Sequence, residues 1–278
     1  MAGKLYIVST PIGNLGDMTR RAAEVLEAAD YIAAEDTRRT LALLNSLGIR
    51  GRLISCHEHS GQARVEEILA LLEGGADVAL CTDAGTPIIS DPGAPLTALA
   101  AERGIEILSV PGACAAIAAL TVSALDAGKF VFEGFLPRDK TRAQALQTAI
   151  SHPYTTILYE SPHQLRKTLE ELAALCPERP MAICKELTKI YETVFRGTAA
   201  QLLQQSEGWE IRGEYILVLG GAPVERQEVE DKQILEAARA CTARGMRSKE
   251  AARWVAEQLG VGKNRVYQLL LDQQERSK

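Results

Sequence analysis

The chain has 278 residues, of which 46% are hydrophobic and 24% charged, and a net charge of −5 at pH 7. That length supports a real core in one large or two smaller α/β units, and the composition excludes an intrinsically disordered chain. No stretch approaches the ~18 apolar residues of a membrane span, and residues 1–4 lead into a strand rather than an apolar leader, so a soluble cytoplasmic protein is expected.

From residue 5 to residue 108, short β-rich runs at 5–8, 31–34, 53–56, 78–81 and 105–108 alternate with helical patterns at 20–29, 37–47 and 63–73. Strand, helix and strand at this pitch predict a mainly parallel sheet with helices on its faces, and ligands then bind beyond the carboxyl ends of the strands. After Ala124 the rhythm changes. Strands are expected at 130–135, 156–159, 181–185, 191–196 and 215–219, and the link Leu187-Thr188-Lys189-Ile190 is too short for a helix. A hairpin there predicts a mixed sheet with antiparallel pairing. Beyond Pro223 strands stop, and residues 234–243, 249–259 and 265–272 read as helices, with Ser248 as an N-cap and Gly260 as a C-terminal stop. The expected domains are an N-terminal α/β domain (1–125), a mixed α/β domain (126–223) and a small helical tail (224–278).

Charge is uneven. Residues 239–265 hold seven basic side chains against Glu250 and Glu257, an excess of +5, so the rest of the chain carries about −10. Local charge of this kind steers an anionic partner. The six cysteines (56, 81, 114, 176, 184 and 241) form no CxxC, and four sit in or beside apolar runs, as reduced buried thiols do.

The loops that follow the parallel strands carry the chemistry. The first, Ser9-Thr10-Pro11-Ile12-Gly13-Asn14-Leu15-Gly16-Asp17, combines a rigid proline with glycines that let a ligand reach the backbone. The second, Glu35-Asp36-Thr37-Arg38-Arg39, reads either as a helix cap or as acids facing the crevice, with Arg38 and Arg39 toward phosphate. His57-Glu58-His59 after the third lacks a third ligand, so no metal site is expected. The fourth is Cys81-Thr82-Asp83-Ala84-Gly85-Thr86-Pro87-Ile88-Ile89-Ser90-Asp91-Pro92-Gly93. Its first half is expected to meet ligand through Asp83, while Asp91 caps the helix that starts at Ala94. The fifth, Val110-Pro111-Gly112, opens a helix of very small residues whose free N–H groups can approach a ligand. No GxGxxG and no GxxxxGK[ST] occurs, so dinucleotide and triphosphate loops are not supported.

These loops in this order resemble the tetrapyrrole methylase superfamily, and most closely its ribosomal small-subunit RNA methyltransferase I branch. The resemblance rests on Thr10-Pro-Ile-Gly-Asn-Leu-Gly-Asp17, Ala34-Glu-Asp-Thr-Arg38, Thr82-Asp-Ala-Gly-Thr-Pro-Ile-Ile-Ser-Asp-Pro-Gly93 and Val110-Pro-Gly112. Gly134-Phe-Leu-Pro137, Tyr159-Glu-Ser-Pro-His163, Cys184-Lys-Glu-Leu-Thr188 and Gly213-Glu-Tyr215 extend it through the second half. It implies a homodimer with an α/β tetrapyrrole-methylase-like two-domain fold and a helical tail. The implied reaction is S-adenosylmethionine-dependent methylation of the ribose 2′-hydroxyl of a cytidine, cytidine 1402, in 16S ribosomal RNA at the decoding centre. The partner is naked 16S RNA or the assembled small subunit, and no membrane is involved. By the same resemblance Pro11, Ile12, Asp83, Ala84, Gly85, Thr86, Ala113, Cys114, Ala115, Tyr159, Glu160, Leu187, Gly213, Glu214 and Tyr215 bind the cofactor.

Methyl transfer to a hydroxyl needs alignment and a proton acceptor. Asp17, Glu35, Asp36, His57, Glu58, Asp83 and the Lys185-Glu186 pair are candidates. Glu35 or Asp36 is favoured as the base, with Lys185 lowering the pKa of the hydroxyl. The tail around Trp254 and Tyr267 resembles a helix-turn-helix. Arg247, Lys249, Arg253, Lys263 and Arg265 there, with Arg38 and Arg39, are the expected RNA contacts, because basic groups position a nucleic acid backbone. Two other readings share these features: C-methylation of a tetrapyrrole or N-methylation of a modified histidine, and a non-enzymatic RNA-binding scaffold.

Overall fold

The computed structural model describes residues 2–57, 60–223 and 230–276. The chain divides into two compact units, Met1–Ala222 and Pro223–Lys278, and the boundary expected near residue 126 falls between two sheets within the first unit.

The first sheet follows the alternation seen in the sequence. Its elements are β1 (Lys4–Val8), α1 (Arg20–Ala28), β2 (Tyr31–Ala34), α2 (Thr37–Ser46), β3 (Leu53–Ser55), α3 (Gln62–Glu73), β4 (Val78–Cys81), α4 (Ala94–Glu102) and β5 (Glu106–Val110). All its pairings are parallel, in the order β3-β2-β4-β1-β5. Val78, Ala79, Leu80 and Cys81 are buried on both faces, as a central parallel strand requires. On one face Leu5, Leu80, Ile68 and Leu96 form a core with α3 and α4; on the other, Val8, Ile32, Leu26 and Leu44 pack with α1 and α2. Local chemistry starts these helices: the Thr19 hydroxyl accepts from the Ala22 N–H at 3.1 Å.

α5 (Ala115–Ser123) leads into the second sheet. It comprises β6 (Phe130–Phe135), α6 (Arg142–Ser151), β7 (Thr155–Glu160), α7 (Pro162–Leu175), β8 (Pro180–Lys185), β9 (Thr193–Thr198), α8 (Ala199–Gln205) and β10 (Tyr215–Leu219). Its order is β6-β7-β10-β8-β9; β6 runs parallel to β7 and every other pair is antiparallel, including the expected β8–β9 hairpin. α5 reads Ala-Ala-Ile-Ala-Ala-Leu-Thr-Val-Ser, and buries the face that carries Ala116, Ala119, Leu120 and Ser123 while Ile117 and Thr121 stay exposed. Ala116, Ala119 and Leu120 pack with Ile12 against Ile157, Ala182, Ile216 and Val218 of the second sheet. This layer joins the two sheets.

Four local expectations are corrected. β5 covers Glu106–Val110 rather than 105–108, because it keeps pairing with β1 as far as Val8↔Val110. β9 starts at Thr193 rather than at residue 191, since its ladder with β8 ends at Lys185↔Thr193. α4 is preceded by Gly93 at φ 122° with no side-chain cap, so Asp91 is not the cap. Arg247, not Ser248, occupies the N-cap of the tail's second helix, and its backbone N–H donates to Glu250 Oε2 at 3.2 Å.

The second unit contains α9 (Asp231–Ala243), α10 (Ser248–Leu259) and α11 (Lys263–Arg276). Ile234, Ala238, Cys241, Ala251, Val255, Val266 and Leu270 form its own small core. Gly260, at φ 64°, ends α10 in the left-handed conformation expected of it.

Candidate active site

The strand order of the first sheet changes direction between β1 and β4, which brings the loops that follow them side by side. Thr10 N–H donates to Gly85 O at 2.8 Å, and Gly85 N–H donates to Thr10 O at 3.1 Å. The Thr86 hydroxyl donates to Ala113 O at 3.0 Å, which leaves Ser9 Oγ to donate to Thr86 Oγ1 at 2.9 Å. A Cβ on Gly112 would stand 2.8 Å from Ser9 Cβ, so only glycine lets the fifth loop pack this closely. The loops after β1, β4 and β5 are thereby one rigid wall.

That wall closes a cavity of about 410 Å³, an ordinary size for a small-ligand site. Ile12, Ala84, Gly85, Thr86, Cys114 and Ala115 line it from the first half, all of them expected at a cofactor. Tyr159, Glu160, Gly213, Glu214 and Tyr215 line it from the second, again as expected. Tyr159 Oη accepts from the Ala116 N–H at 3.1 Å, taking up one of the free donors at the start of α5. Pro11 and Asp83 instead line an adjoining hollow of about 430 Å³ that shares Ile12, Ala84 and Glu214 with the cavity. Ala113 acts through its carbonyl, and Leu187 is buried in the apolar layer with Ile12.

Residues given no cofactor role from the sequence also face the cavity: Ile89, Ser90, Asp91, Phe135, Arg138 and Ile216. Ile88 and Ser90 have φ of 79° and 65°, a conformation that costs non-glycine residues of order 1–3 kcal/mol and clusters at functional sites. This turn aims Asp91 inward. Burial pushes the Asp91 carboxyl up to about 6, with Glu35 and Asp83 adding to the rise and Thr82 restraining it. Asp91 also borders a further hollow of about 480 Å³, on which His57 lies.

The expected acids have other partners. Asp36 caps α2: its Oδ1 accepts from the Arg38 N–H at 2.9 Å, while the Arg38 guanidinium reaches Oδ2 at 2.7 Å and holds the carboxyl well below its usual range. The capping alternative for Asp36 is therefore the one realised. Glu35 Oε2 accepts from the Thr82 hydroxyl at 2.6 Å. Arg39 pairs with Asp83 at 3.1 Å. Lys185 Nζ lies 5.7 Å above the Tyr215 ring and 3.4 Å from Glu210 O. Glu186, at φ 52°, accepts from Lys189 Nζ and from the Glu214 N–H, both at 2.9 Å; burial raises its carboxyl, and Lys189, the Glu214 N–H and Lys185 together more than offset this. Asp17 is exposed in a short turn at Leu15–Asp17, and Glu58 and His59 lie outside the described residues.

In the helical unit Arg247, Lys249, Arg253, Lys263 and Arg265 are all exposed. Arg253 pairs with Glu257 at 3.2 Å and Arg265 with Asp231 at 2.6 Å.

Residues 4–203 match the family described as Tetrapyrrole (Corrin/Porphyrin) Methylases. The uroporphyrin-III C-methyl transferase of Thermus thermophilus, solved in complex with S-adenyl homocysteine, shares the fold: TM-score 0.56 at 17% identity, over 78% of this chain and 97% of that one. Similarity of sequence is much stronger to the ribosomal RNA small subunit methyltransferase I of Synechocystis sp., 44% identical over 97% of this chain and 98% of that protein. The protein of the same description from Escherichia coli O157:H7 is 42% identical over 98% of this chain and 96% of its own length. With identity at this level running through both sheets and into the helical unit, the chain belongs to the ribosomal RNA small subunit methyltransferase I family and has the tetrapyrrole methylase fold.

Proposed function

We propose that this protein transfers a methyl group from S-adenosylmethionine to the ribose 2′-hydroxyl of a cytidine, cytidine 1402, in 16S ribosomal RNA at the decoding centre. The observation that carries the cofactor reading is the charge of the cavity interior: three carboxylates, Asp91, Glu160 and Glu214, with the one cation among the described lining residues, Arg138, exposed at the edge. That set fits a ligand with a sulfonium and an ammonium group and no phosphate. Ile12, Ile89 and Ile216 add the apolar surface an adenine needs. Backbone groups of Ala84–Thr86, Cys114–Ala115 and Gly213–Tyr215 would hold its polar edges. When bound, the cofactor supplies a methyl group open to in-line attack.

The protein's part is alignment and proton removal. Asp91 is the proposed proton acceptor, because its carboxyl, pushed up to about 6, is ionised at neutral pH yet basic enough to take a proton. Glu35, which accepts from the Thr82 hydroxyl, raises that carboxyl further by its charge, so the sequence-based choice of Glu35 becomes a supporting role. Asp36 and Arg38 are proposed to stiffen the start of α2, and Lys185 and Glu186 the loop that carries Leu187. The exposed basic side chains of the helical unit, Lys249, Arg253 and Lys263 among them, are proposed to contact RNA phosphates. Homodimerisation belongs to the same proposal and is tested by sedimentation.

Methyl transfer to small-subunit particles and to naked 16S RNA, with mapping of the modified nucleotide, tests the function. A 2′-O-methylcytidine at one position is the expected product. A methylated base, or methylated uroporphyrinogen with inert RNA, refutes the reading.

A further inference from the structure

Phe135 is an unusual residue for the edge of a cavity: a phenylalanine 57% exposed, in a strand whose other inward ring, Phe132, is packed away. Strict alternation along β6 would put Phe135 on the face opposite Phe132. A bulge prevents this. The β6–β7 register steps from Phe132↔Ile157 to Gly134↔Leu158 and Phe135↔Tyr159, so Glu133 is the extra residue and Phe135 returns to the face of Phe132, Ile157 and Tyr159. Gly134 makes the bulge at φ 64°, and a Cβ there would come within 3.0 Å of Ser90 Oγ. Tyr159 holds one side of Phe135 edge to face, at 5.4 Å and 67°, and is itself anchored to the Ala116 N–H. The outer side of the ring stays open.

Three residues on, Arg138 is the only cation among the described lining residues, is exposed, and makes no ion pair or hydrogen bond with the described residues. Three residues of chain span at most about 10 Å, the scale that separates a nucleobase from its phosphate.

We infer that Phe135 and Arg138 form a nucleotide clamp at the mouth of the cavity, in which one unstacked base of single-stranded RNA lies on the open side of Phe135 and its phosphate pairs with Arg138. This rests on the RNA reading above. Stacking on an aromatic side chain is the usual way an unpaired base is held, and a guanidinium suits the phosphate. The acidic interior of the cavity keeps the phosphate outside, which orients the strand.

The test uses the full-length protein with Phe135→Leu, Phe135→Trp and Arg138→Ala. Phe135→Leu and Arg138→Ala are each expected to raise KM for RNA about ten-fold, with S-adenosylmethionine affinity unchanged. Arg138→Ala should also lower the salt dependence of RNA binding by about 0.7 in slope. The added indole of Phe135→Trp should retain KM and be quenched by RNA beyond what the native tryptophans show. Unchanged KM in both truncations of an active enzyme, or a parallel loss of cofactor affinity, overturns the clamp. Quenching in Phe135→Trp together with a wild-type protein that binds RNA but transfers no methyl would support the clamp and overturn the enzymatic reading instead.

Discussion

Thr10 and Gly85 exchange two backbone hydrogen bonds, at 2.8 and 3.1 Å, and so clasp the loops after β1 and β4 across the point where the strand order changes direction. Apart from the short turn at Leu15–Asp17 neither loop has a regular element, and this pair supplies one ladder rung between them. Gly85 accepts the geometry because φ is 91°, where a side chain is strained, and its Cα faces Ile12.

Gly85→Ala is therefore expected to cost about 1–3 kcal/mol of stability and to weaken cofactor binding at least ten-fold, since the clasp shapes the wall. Urea unfolding and calorimetric titration with S-adenosylmethionine read the two effects separately. Ala84→Gly, one residue earlier, should leave binding within a few-fold.

Asp91 gives a pH signature. Its folded-state carboxyl holds a proton more tightly than the ordinary value of 3.8, so its contribution favours folding below that value and is lost as pH rises through about 6. Asp91→Asn should accordingly be more stable than the parent at pH 8, by at most about 1–2 kcal/mol because solvent screens a partly exposed group, and no more stable at pH 4. Thermal melts at the two pH values check this. The same variant is expected to lose methyl transfer by a factor of about 100 or more while binding cofactor, and the rise of kcat through pH 6 should vanish with it.

Behind the cavity, Arg142 Nη2 donates to Thr168 Oγ1 at 2.7 Å, and that hydroxyl donates to Glu160 Oε2. All three side chains are buried, and Glu160 Oε1 accepts from the Ser161 N–H at 2.8 Å. Thr168→Val leaves a guanidinium and a carboxylate without a shared partner and should cost about 2–4 kcal/mol in denaturant unfolding. Thr168→Ser, which keeps the hydroxyl, should cost about 1 kcal/mol for the lost methyl group.

In the helical unit, replacing Lys249, Arg253 and Lys263 together by Ala should weaken RNA binding most at low salt and reduce the slope of log affinity against log salt by about two, with little change in cofactor affinity. A slope equal to that of the parent would remove this unit from the RNA interface. The exposure of all three and the independent core around Val255 and Val266 make misfolding an improbable cause of any effect.

Much of this was legible in the chain. The strands at Tyr31–Ala34, Val78–Cys81 and Tyr215–Leu219 fall where runs of apolar and aromatic residues predict them, because a strand covered on both faces excludes polar residues along its length. The loops rich in proline and glycine after β1, β4 and β5 line the cavity, because such residues let backbone pack closely there. The preference for Asp83 over Asp91 followed equally local logic: Asp91-Pro92-Gly93 before a helix resembles a cap, and only positive φ at Ile88 and Ser90 turns Asp91 into the cavity. Phe135 shows its place only in the fold, because an alternating pattern does not reveal a bulge.

The sequence by itself determined the element order, the parallel and mixed character of the two sheets, the loops that line the cavity and the family. Those features depend on hydrophobic periodicity and backbone permissiveness, which each short segment carries within itself. Only the tertiary structure decided which carboxylate is buried at the cavity, which arginines are already paired, and that Phe135 shares a face with Tyr159. Those depend on desolvation and on partners up to dozens of residues away, such as Glu35 beside Thr82 or Arg39 beside Asp83, and no local pattern encodes either.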